Sequence, residues 1–335
     1  MQLAMRVLDA LATERSLEAT EPRFVSGAAL AARFAVTRSA IWKAVGMLRE
    51  WGTAIEAVTN QGYRLALPAS PLQADAVRSA LDPAVAALLR NGECVGSIAS
   101  TNAILLAREP PAPGRFDFLT AEHQSAGRGR RGRAWLAPPG GAICLSWSWS
   151  FEAMARQIGA LSLVVGVAAL RALRQHHIPG VGLKWPNDLV TGQGKLGGIL
   201  IEMRSESAGP VHVVVGIGIN MALGQEMRDQ VRANGHVAND ISSLTRSPPS
   251  RGALVAAVLN HGVGAMQEFA RHGFAPLLEE YLAADTLRDC PVDLSGSAGP
   301  TQGIARGVDE DGALRVEHDG RIHRIMAGEV SVRTR

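Results

Sequence analysis

The stretch Gly127-Arg128-Gly129-Arg130-Arg131-Gly132-Arg133-Ala134-Trp135 sets four arginines and three glycines in seven residues, with an indole two residues further on. Glycine lets a backbone come close to a ligand and frees N–H groups to point at anions. Arginine adds forked, permanently charged donors that fit carboxylate and phosphate. The tryptophan offers a stacking face for a flat base. Taken alone, the run reads equally as a basic, RNA-binding or disordered tract. Its neighbours give it a place in a fold. Residues 118–122 read as a strand leading into it. Beyond it, Ile143, Leu145, Trp147 and Trp149 alternate with Cys144, Ser146 and Ser148, as a strand with two distinct faces should. Residues 152–173 read mainly as a long buried helix. Residues 181–185, 196–202 and 212–219 read as further strands, so the middle of the chain is a mixed α/β unit.

Upstream the texture differs. Leu3, Val7, Leu8 and Leu11 recur at helical spacing. Ser26 can cap a short helix carrying Leu30 and Phe34. Thr37 can cap the next, whose apolar face is Ile41, Val45 and Leu48. That leaves Arg38, Ser39, Trp42, Lys43 and Arg49 outward. Strands over 54–58 and 62–67 follow, joined by Thr59-Asn60-Gln61. Three helices and a hairpin form the layout of a winged helix-turn-helix across residues 1–67. Thr37, Arg38, Ser39, Trp42 and Lys43 would then meet DNA, with the second helix of the motif in the major groove. A small helical interaction domain that never meets DNA is the other reading of these residues. Pro68-Ala69-Ser70-Pro71 is a linker by composition. From Asp285 onward, short strands over 292–294, 303–308, 313–318, 321–326 and 329–333 are separated by Gly and Asp turns, which suggests a small β-barrel. The expected division is therefore 1–67, 73–284 and 285–335.

Composition agrees with a multidomain globular protein. At 335 residues with 47% apolar side chains the chain can bury a sizeable core, and wholesale disorder is excluded. A net charge of +3 does not by itself mark a nucleic-acid binder. Of 34 basic residues only Lys43, Lys184 and Lys195 are lysines. This bias weakens any argument from arginine abundance and strengthens the argument from the surviving lysines, which mark places needing a compact ammonium. Cys94, Cys144 and Cys290 show no close pair and no metal-ligand spacing, as in a reduced, cytoplasmic protein. No signal-peptide pattern opens the sequence. The apolar run 158–170 is too short to cross a bilayer and reads as a core helix, so no membrane partner is expected.

Several segments line up in order. Ser100-Thr101-Asn102 precedes a helical stretch, and Gln124 precedes the arginine–glycine loop. Then come Lys184-Trp185-Pro186-Asn187-Asp188, the segment Lys195-Leu196-Gly197-Gly198-Ile199-Leu200-Ile201-Glu202, and Gly216-Ile217-Gly218-Ile219-Asn220-Met221. Gly216-Ile217-Gly218 lacks the third glycine of a dinucleotide fingerprint, and no Ser or Thr follows Gly194-Lys195 as a P-loop requires. The series as a whole resembles the biotin protein ligase family over nearly the full chain. With the winged-helix start it looks like the bifunctional members that also repress biotin-synthesis genes.

The resemblance implies an α+β multidomain fold: the winged helix, a class II synthetase-like ligase domain, and an SH3-like C-terminal barrel. It implies ATP, with Mg2+, activating biotin to biotinyl-5′-adenylate. It also implies transfer to a lysine of the biotin carboxyl carrier protein of acetyl-CoA carboxylase, operator DNA as a further partner, and a homodimer on adenylate or DNA binding. By motif position Gly127, Arg128, Gly129 and Arg130 line the biotin and adenylate site. Lys195 holds the biotin carboxylate, and Trp135 stacks near adenine. Ser100, Thr101, Asn102 and Gln124 match contacts to the ureido end and its surroundings. Asn187 and Asp188 sit near the reacting centre, Asp188 orienting or deprotonating the incoming amine. Asn220 matches a nucleotide-site residue and Arg333 a C-terminal arginine that helps with ATP. Residues 225–240 correspond to the loop that closes over adenylate; here it is polar, with His236 where a bulky apolar residue can occur. A transcription factor that only senses ligand, a ligase whose winged helix no longer represses, and a related lipoate ligase are the alternatives.

Overall fold

The computed structural model describes residues 1–14, 23–67, 71–153, 157–205, 210–295, 301–326 and 331–334; side chains of 205 and 331–334 are not described. Most of the expected linker, 68–70, lies outside these residues.

The N-terminal unit forms as its caps dictate. Helix α1 (Gln2–Thr13) buries Val7, Leu8 and Leu11. Ser26 Oγ accepts from Ala29 N–H to start α2 (Gly27–Phe34), and Thr37 Oγ1 accepts from Ala40 N–H to start α3 (Arg38–Glu50). Each such cap contributes about 1 kcal/mol. Ala35, at φ 54, turns the chain between them. Strands β1 (Ile55–Val58) and β2 (Gly62–Leu65) pair antiparallel as the wing. The unit has its own apolar core, in which Leu11, Leu30, Ile41, Leu48 and Leu65 are fully buried.

After short helices α4 (Ala74–Ser79) and α5 (Pro83–Ala86) the central sheet begins. Its members are β3 (Leu89–Ile98), β4 (Phe116–Gln124), β5 (Ala142–Phe151), β6 (Gly182–Lys184), β7 (Asp188–Thr191), β8 (Gly194–Ser205) and β9 (Val211–Asn220), ordered β3-β4-β5-β9-β8-β7-β6. Only β3 and β4 run parallel. A parallel pair needs a crossover, and α6 (Thr101–Ala107) supplies it, placing its N-terminus over the sheet. The alternation expected in β5 is present, but both faces are buried. Ile143, Leu145, Trp147 and Trp149 belong to the main core, whereas Ser146 contacts Thr101 and Asn102 of α6. The pattern separates two interior layers, not core from solvent.

The helix expected over 152–173 begins later. Strand β5 persists to Phe151 and a short turn at Ile158–Ala160 intervenes, so α7 spans Leu161–Gln175. No side chain caps it, yet eleven of its residues are buried. At about 1.5–3 kcal/mol per buried large aliphatic, burial outweighs a missing cap. With its lead-in, Ile158–Gln175 is long and apolar enough to cross a membrane, longer than the run read from sequence; 67% of it is buried inside the fold, as a core helix is. It packs against α9 (Arg251–His272), which follows α8 (Gln225–Ala233) and precedes α10 (Leu278–Ala284).

The C-terminal strands β10 (Pro291–Ser295), β11 (Gln302–Val308), β12 (Leu314–His318), β13 (Arg321–Ile325) and β14 (Ser331–Thr334) form an antiparallel sheet ordered β13-β12-β11-β10-β14. Among the described residues β13 and β14 do not pair to close it into a barrel. Its apolar side chains join the core of the central unit, and Trp185 Nε1 donates to Gly312 O at 3.1 Å.

Candidate active site

Strands β8 and β9 meet in a floor of glycine. A Cβ on Gly218 would stand 2.4 Å from Trp135, and one on Gly216 would stand 2.3 Å from Asn102 Oδ1. Only glycine lets the indole and the amide lie directly on the sheet. Above this floor is a cavity of about 230 Å³. One end is lined by Ser100, Thr101, Asn102 and Gln124, one side by Arg128, Gly129, Arg130 and Trp135, and the other by Asn187, Asp188 and Lys195, with His236 at the rim. Elements distant in sequence thus converge on one space.

The arginine–glycine loop is a small hairpin. Gly129 N–H donates to Arg133 O at 2.7 Å and Trp135 N–H to Gly127 O at 3.0 Å, with Arg131 (φ 58) and Gly132 (φ 71) at the tip. Gly127 is not part of the wall. It shapes the wall, because a Cβ there would lie 2.8 Å from Trp135 O. Burial holds the Arg130 guanidinium below its ordinary pKa, and Arg130 Nη1 donates to Asn187 Oδ1 at 3.4 Å. Opposite, Lys195 Nζ lies 2.6 Å from Asp188 Oδ1 and 5.9 Å from the Trp135 ring centroid. The Lys195 backbone is pinned: its N–H donates to Val237 O and its carbonyl accepts from Asn239 N–H, both at 2.8 Å. Residues 225–240, read as a loop, therefore comprise helix α8, with Met227 buried, and an edge that pairs beside Lys195.

At the other end Gln124 Oε1 accepts from Thr101 N–H (2.8 Å) and lies 3.1 Å from Thr101 Oγ1. Ser100 both caps α6, accepting from Ala103 N–H, and lines the cavity. Beneath them the Cys144 thiol is pushed up to about 12 by burial, so it stays neutral and serves as floor rather than nucleophile.

One further expected residue falls elsewhere. Asn220 does not line the cavity; its Nδ2 donates to Asn239 O (3.0 Å) and Lys195 O (3.3 Å), fixing the strand edge that carries Lys195. Arg333 lies on β14 opposite Asp293, but its side chain is outside the described residues. Two residues outside the expected set join the site: Ser146 donates to Asn102 Oδ1 at 2.6 Å, and Glu202 accepts from Asn102 Nδ2 at 2.9 Å. A small hydroxyl on a buried strand face was the signal for the first; for the second it was the terminal acid of the quoted Lys195–Glu202 segment. Among the described residues no group of three His, Cys, Asp or Glu side chains could hold a metal ion. Magnesium usually binds through phosphates and waters rather than a protein cage.

On the N-terminal unit Thr37, Arg38, Ser39, Trp42 and Lys43 are all exposed, Trp42 at 68%. Thr37 Oγ1 is engaged in its cap and with Ser39 Oγ at 3.0 Å. The unit docks beside the cavity. Trp51 stacks on His123 at 4.0 Å, next to Gln124, and Thr53 Oγ1 donates to Pro139 O.

Residues 97–220 match the biotin/lipoate A/B protein ligase family, 12–64 an HTH domain and 291–333 the biotin protein ligase C-terminal domain. The chain is 36% identical to a bifunctional ligase/repressor of Salmonella typhimurium over 93% of its own length and 94% of that protein. It is 33% identical to a biotin–[acetyl-CoA-carboxylase] ligase of Mycobacterium tuberculosis, over 72% and 88% of the two chains. A biotin protein ligase of Aquifex aeolicus solved with biotin superposes with a TM-score of 0.62 at 25% identity, covering 73% of this chain and 99% of that one. With three matched segments in the same order as its three structural units, this chain belongs to the biotin protein ligase family.

Proposed function

We infer that the cavity joins biotin to ATP and passes the biotinyl group to a lysine of the biotin carboxyl carrier protein of acetyl-CoA carboxylase. One observation carries this reading. Lys195, half-exposed in the cavity, is held 2.6 Å from Asp188 and faces Trp135, with Arg130 bonded to the adjacent Asn187. In the first step a biotin carboxylate oxygen bonds the α-phosphorus of ATP and pyrophosphate leaves. That step brings two anions together, and preorganised cations lower its barrier. Lys195 can exchange Asp188 for the biotin carboxylate while Arg128 and Arg130 meet phosphate oxygens, and Trp135 takes the adenine face. In the second step the carrier amine attacks the biotinyl carbonyl carbon, AMP leaves with the bridging oxygen, and the amine gives up a proton. Asp188, released from Lys195, is placed to orient that amine and receive the proton. No covalent enzyme intermediate is required. Full-length protein mixed with biotin, ATP and unmodified carrier domain should yield a streptavidin-reactive carrier. Lipoylation in its place would assign the chain to lipoate.

The unit at 1–67 binds operator DNA of biotin-synthesis genes through Arg38, Ser39, Trp42 and Lys43, with Thr37 setting the start of their helix. The unit at 73–284 is the ligase and 285–335 its C-terminal companion, sharing its core. A homodimer formed on adenylate or DNA binding would present two such helices to half-sites a whole number of turns apart. Footprinting with and without biotinyl-adenylate tests this; equal protection of random DNA would contradict it. The three unpaired cysteines suit a reducing cytoplasm.

A further inference from the structure

Glu202 takes no part in the cavity wall, yet its carboxylate reaches a residue that does. On β8 the residues Gly198, Leu200 and Glu202 alternate onto one face; the first two line the cavity. Glu202 Oε2 accepts from Asn102 Nδ2 at 2.9 Å, and Leu200 O accepts from the same nitrogen at 3.3 Å. Ser146 Oγ donates to Asn102 Oδ1 at 2.6 Å. Asn102 is 3% exposed, so these partners fix it.

The chemistry of the partners leaves one orientation. A carboxylate and a carbonyl only accept, so both amide hydrogens of Asn102 are spent on Glu202 and Leu200. A flipped amide would set its carbonyl oxygen against the carboxylate and strand two acceptors. What remains unspent is a lone pair on Oδ1, on a residue that lines the cavity. Asn102 therefore meets a ligand as an acceptor and selects a ligand that offers an N–H. Glu202 also stands 3.6 Å from Arg128 through Oε1, a looser contact at the mouth of the loop.

We propose that Glu202 is a positioning and specificity residue: by fixing the Asn102 amide it makes this end of the cavity choose an acyl substrate bearing an N–H donor over one without. The assignment rests on the biotin reading above, since the biotin ureido ring carries N–H groups and the lipoate dithiolane ring carries none.

The test is ATP–pyrophosphate exchange by the full-length protein with biotin or lipoate as the acid. Wild type, Glu202→Ala, Glu202→Gln, Asn102→Ala and the Asn102→Ala/Glu202→Ala double variant are compared. Loss of a buried hydrogen-bond partner corresponds to about a tenfold effect. Glu202→Ala should raise the KM for biotin about tenfold, leave the KM for ATP unchanged and narrow the preference for biotin over lipoate. Glu202→Gln, whose amide oxygen still accepts from Asn102, should largely restore the biotin KM. The double variant should be no worse than Asn102→Ala alone. Several results would overturn the proposal: an unchanged biotin KM in Glu202→Ala, an equal rise in the ATP KM, full additivity with Asn102→Ala, or Glu202→Gln as impaired as Glu202→Ala. The last of these would give the effect to the Arg128 contact. Wild-type exchange that ignores biotin would remove the biotin reading itself, and this assignment with it.

Discussion

Arg251 and Lys195 each face a carboxylate at hydrogen-bond distance, and the two pairs serve opposite ends. Arg251 and Glu122 are 3% and 9% exposed. Their two guanidinium–carboxylate bonds measure 2.7 and 2.8 Å. Glu122 also accepts from Leu72 N–H and Gly140 N–H, and Arg251 donates to Ala142 O. That pair is fully engaged in tying α9 to β4, β5 and the entry of the chain into the ligase unit. Lys195 and Asp188 are 36% and 28% exposed in the cavity wall. Water and ligand can reach them, so either charge can change partner. The difference teaches that an ion pair's role follows from its access, not its length.

The largest effect expected from this contrast is on the buried pair. Arg251→Met leaves Glu122 charged and unpaired in the interior, which costs about 3–5 kcal/mol. Urea unfolding should show that loss. A loss below about 1 kcal/mol would mean the pair is no more structural than the one in the cavity. Lys195→Arg should do the reverse: melting within about 2 °C of wild type, but adenylate formation down about 100-fold, near 2.7 kcal/mol in barrier. A longer planar head crowds the anhydride site even in a chain that uses arginine almost everywhere else. Near-normal synthesis would show the ammonium to be dispensable.

A third carboxylate adds the missing case. Asp285 Oδ2 is buried without a hydrogen-bond partner, and burial lifts the group to about 6. An unfolded aspartate titrates near 3.9. Between those values the folded state holds a proton the unfolded state has lost, so stability falls as pH rises from about 4 to about 6 and stays reduced above. Asp285→Asn, which keeps the acceptor for Leu287 N–H, should stabilise the protein by about 1–2 kcal/mol at pH 7.5 and not at all at pH 4. A gain independent of pH would assign the effect to something other than charge. The smallest effect expected is at Trp135→Ala: loss of the stacking face should raise the KM for ATP about tenfold, with biotin affinity little changed.

How much was legible in the sequence follows from the range of the interactions. The helices of the N-terminal unit were readable because Ser26 and Thr37 announce them within three residues. The arginine–glycine loop, Lys195 and the Ser100–Asn102 triplet were readable because the family motif is local. Strand β3 was not: it is an edge strand with two glycines and two charged residues, and its partner β4 lies beyond α6. Helix α9 carries a local signal in its Ser250 cap. For Ser146 and Glu202 the residue type gave a local hint but not the partner, since they act on Asn102 across 44 and 100 residues of chain respectively. Asn220, expected at the nucleotide site, instead fixes the strand edge that carries Lys195, a contact to residues 195 and 239 that no local motif announces.

The central claim is that the cavity around Lys195 activates biotin as an adenylate. Transfer of labelled pyrophosphate into ATP by the wild-type protein tests it most directly. The account predicts exchange that depends on biotin and is far weaker with lipoate. Exchange without added acid, or equal exchange with lipoate, would contradict it.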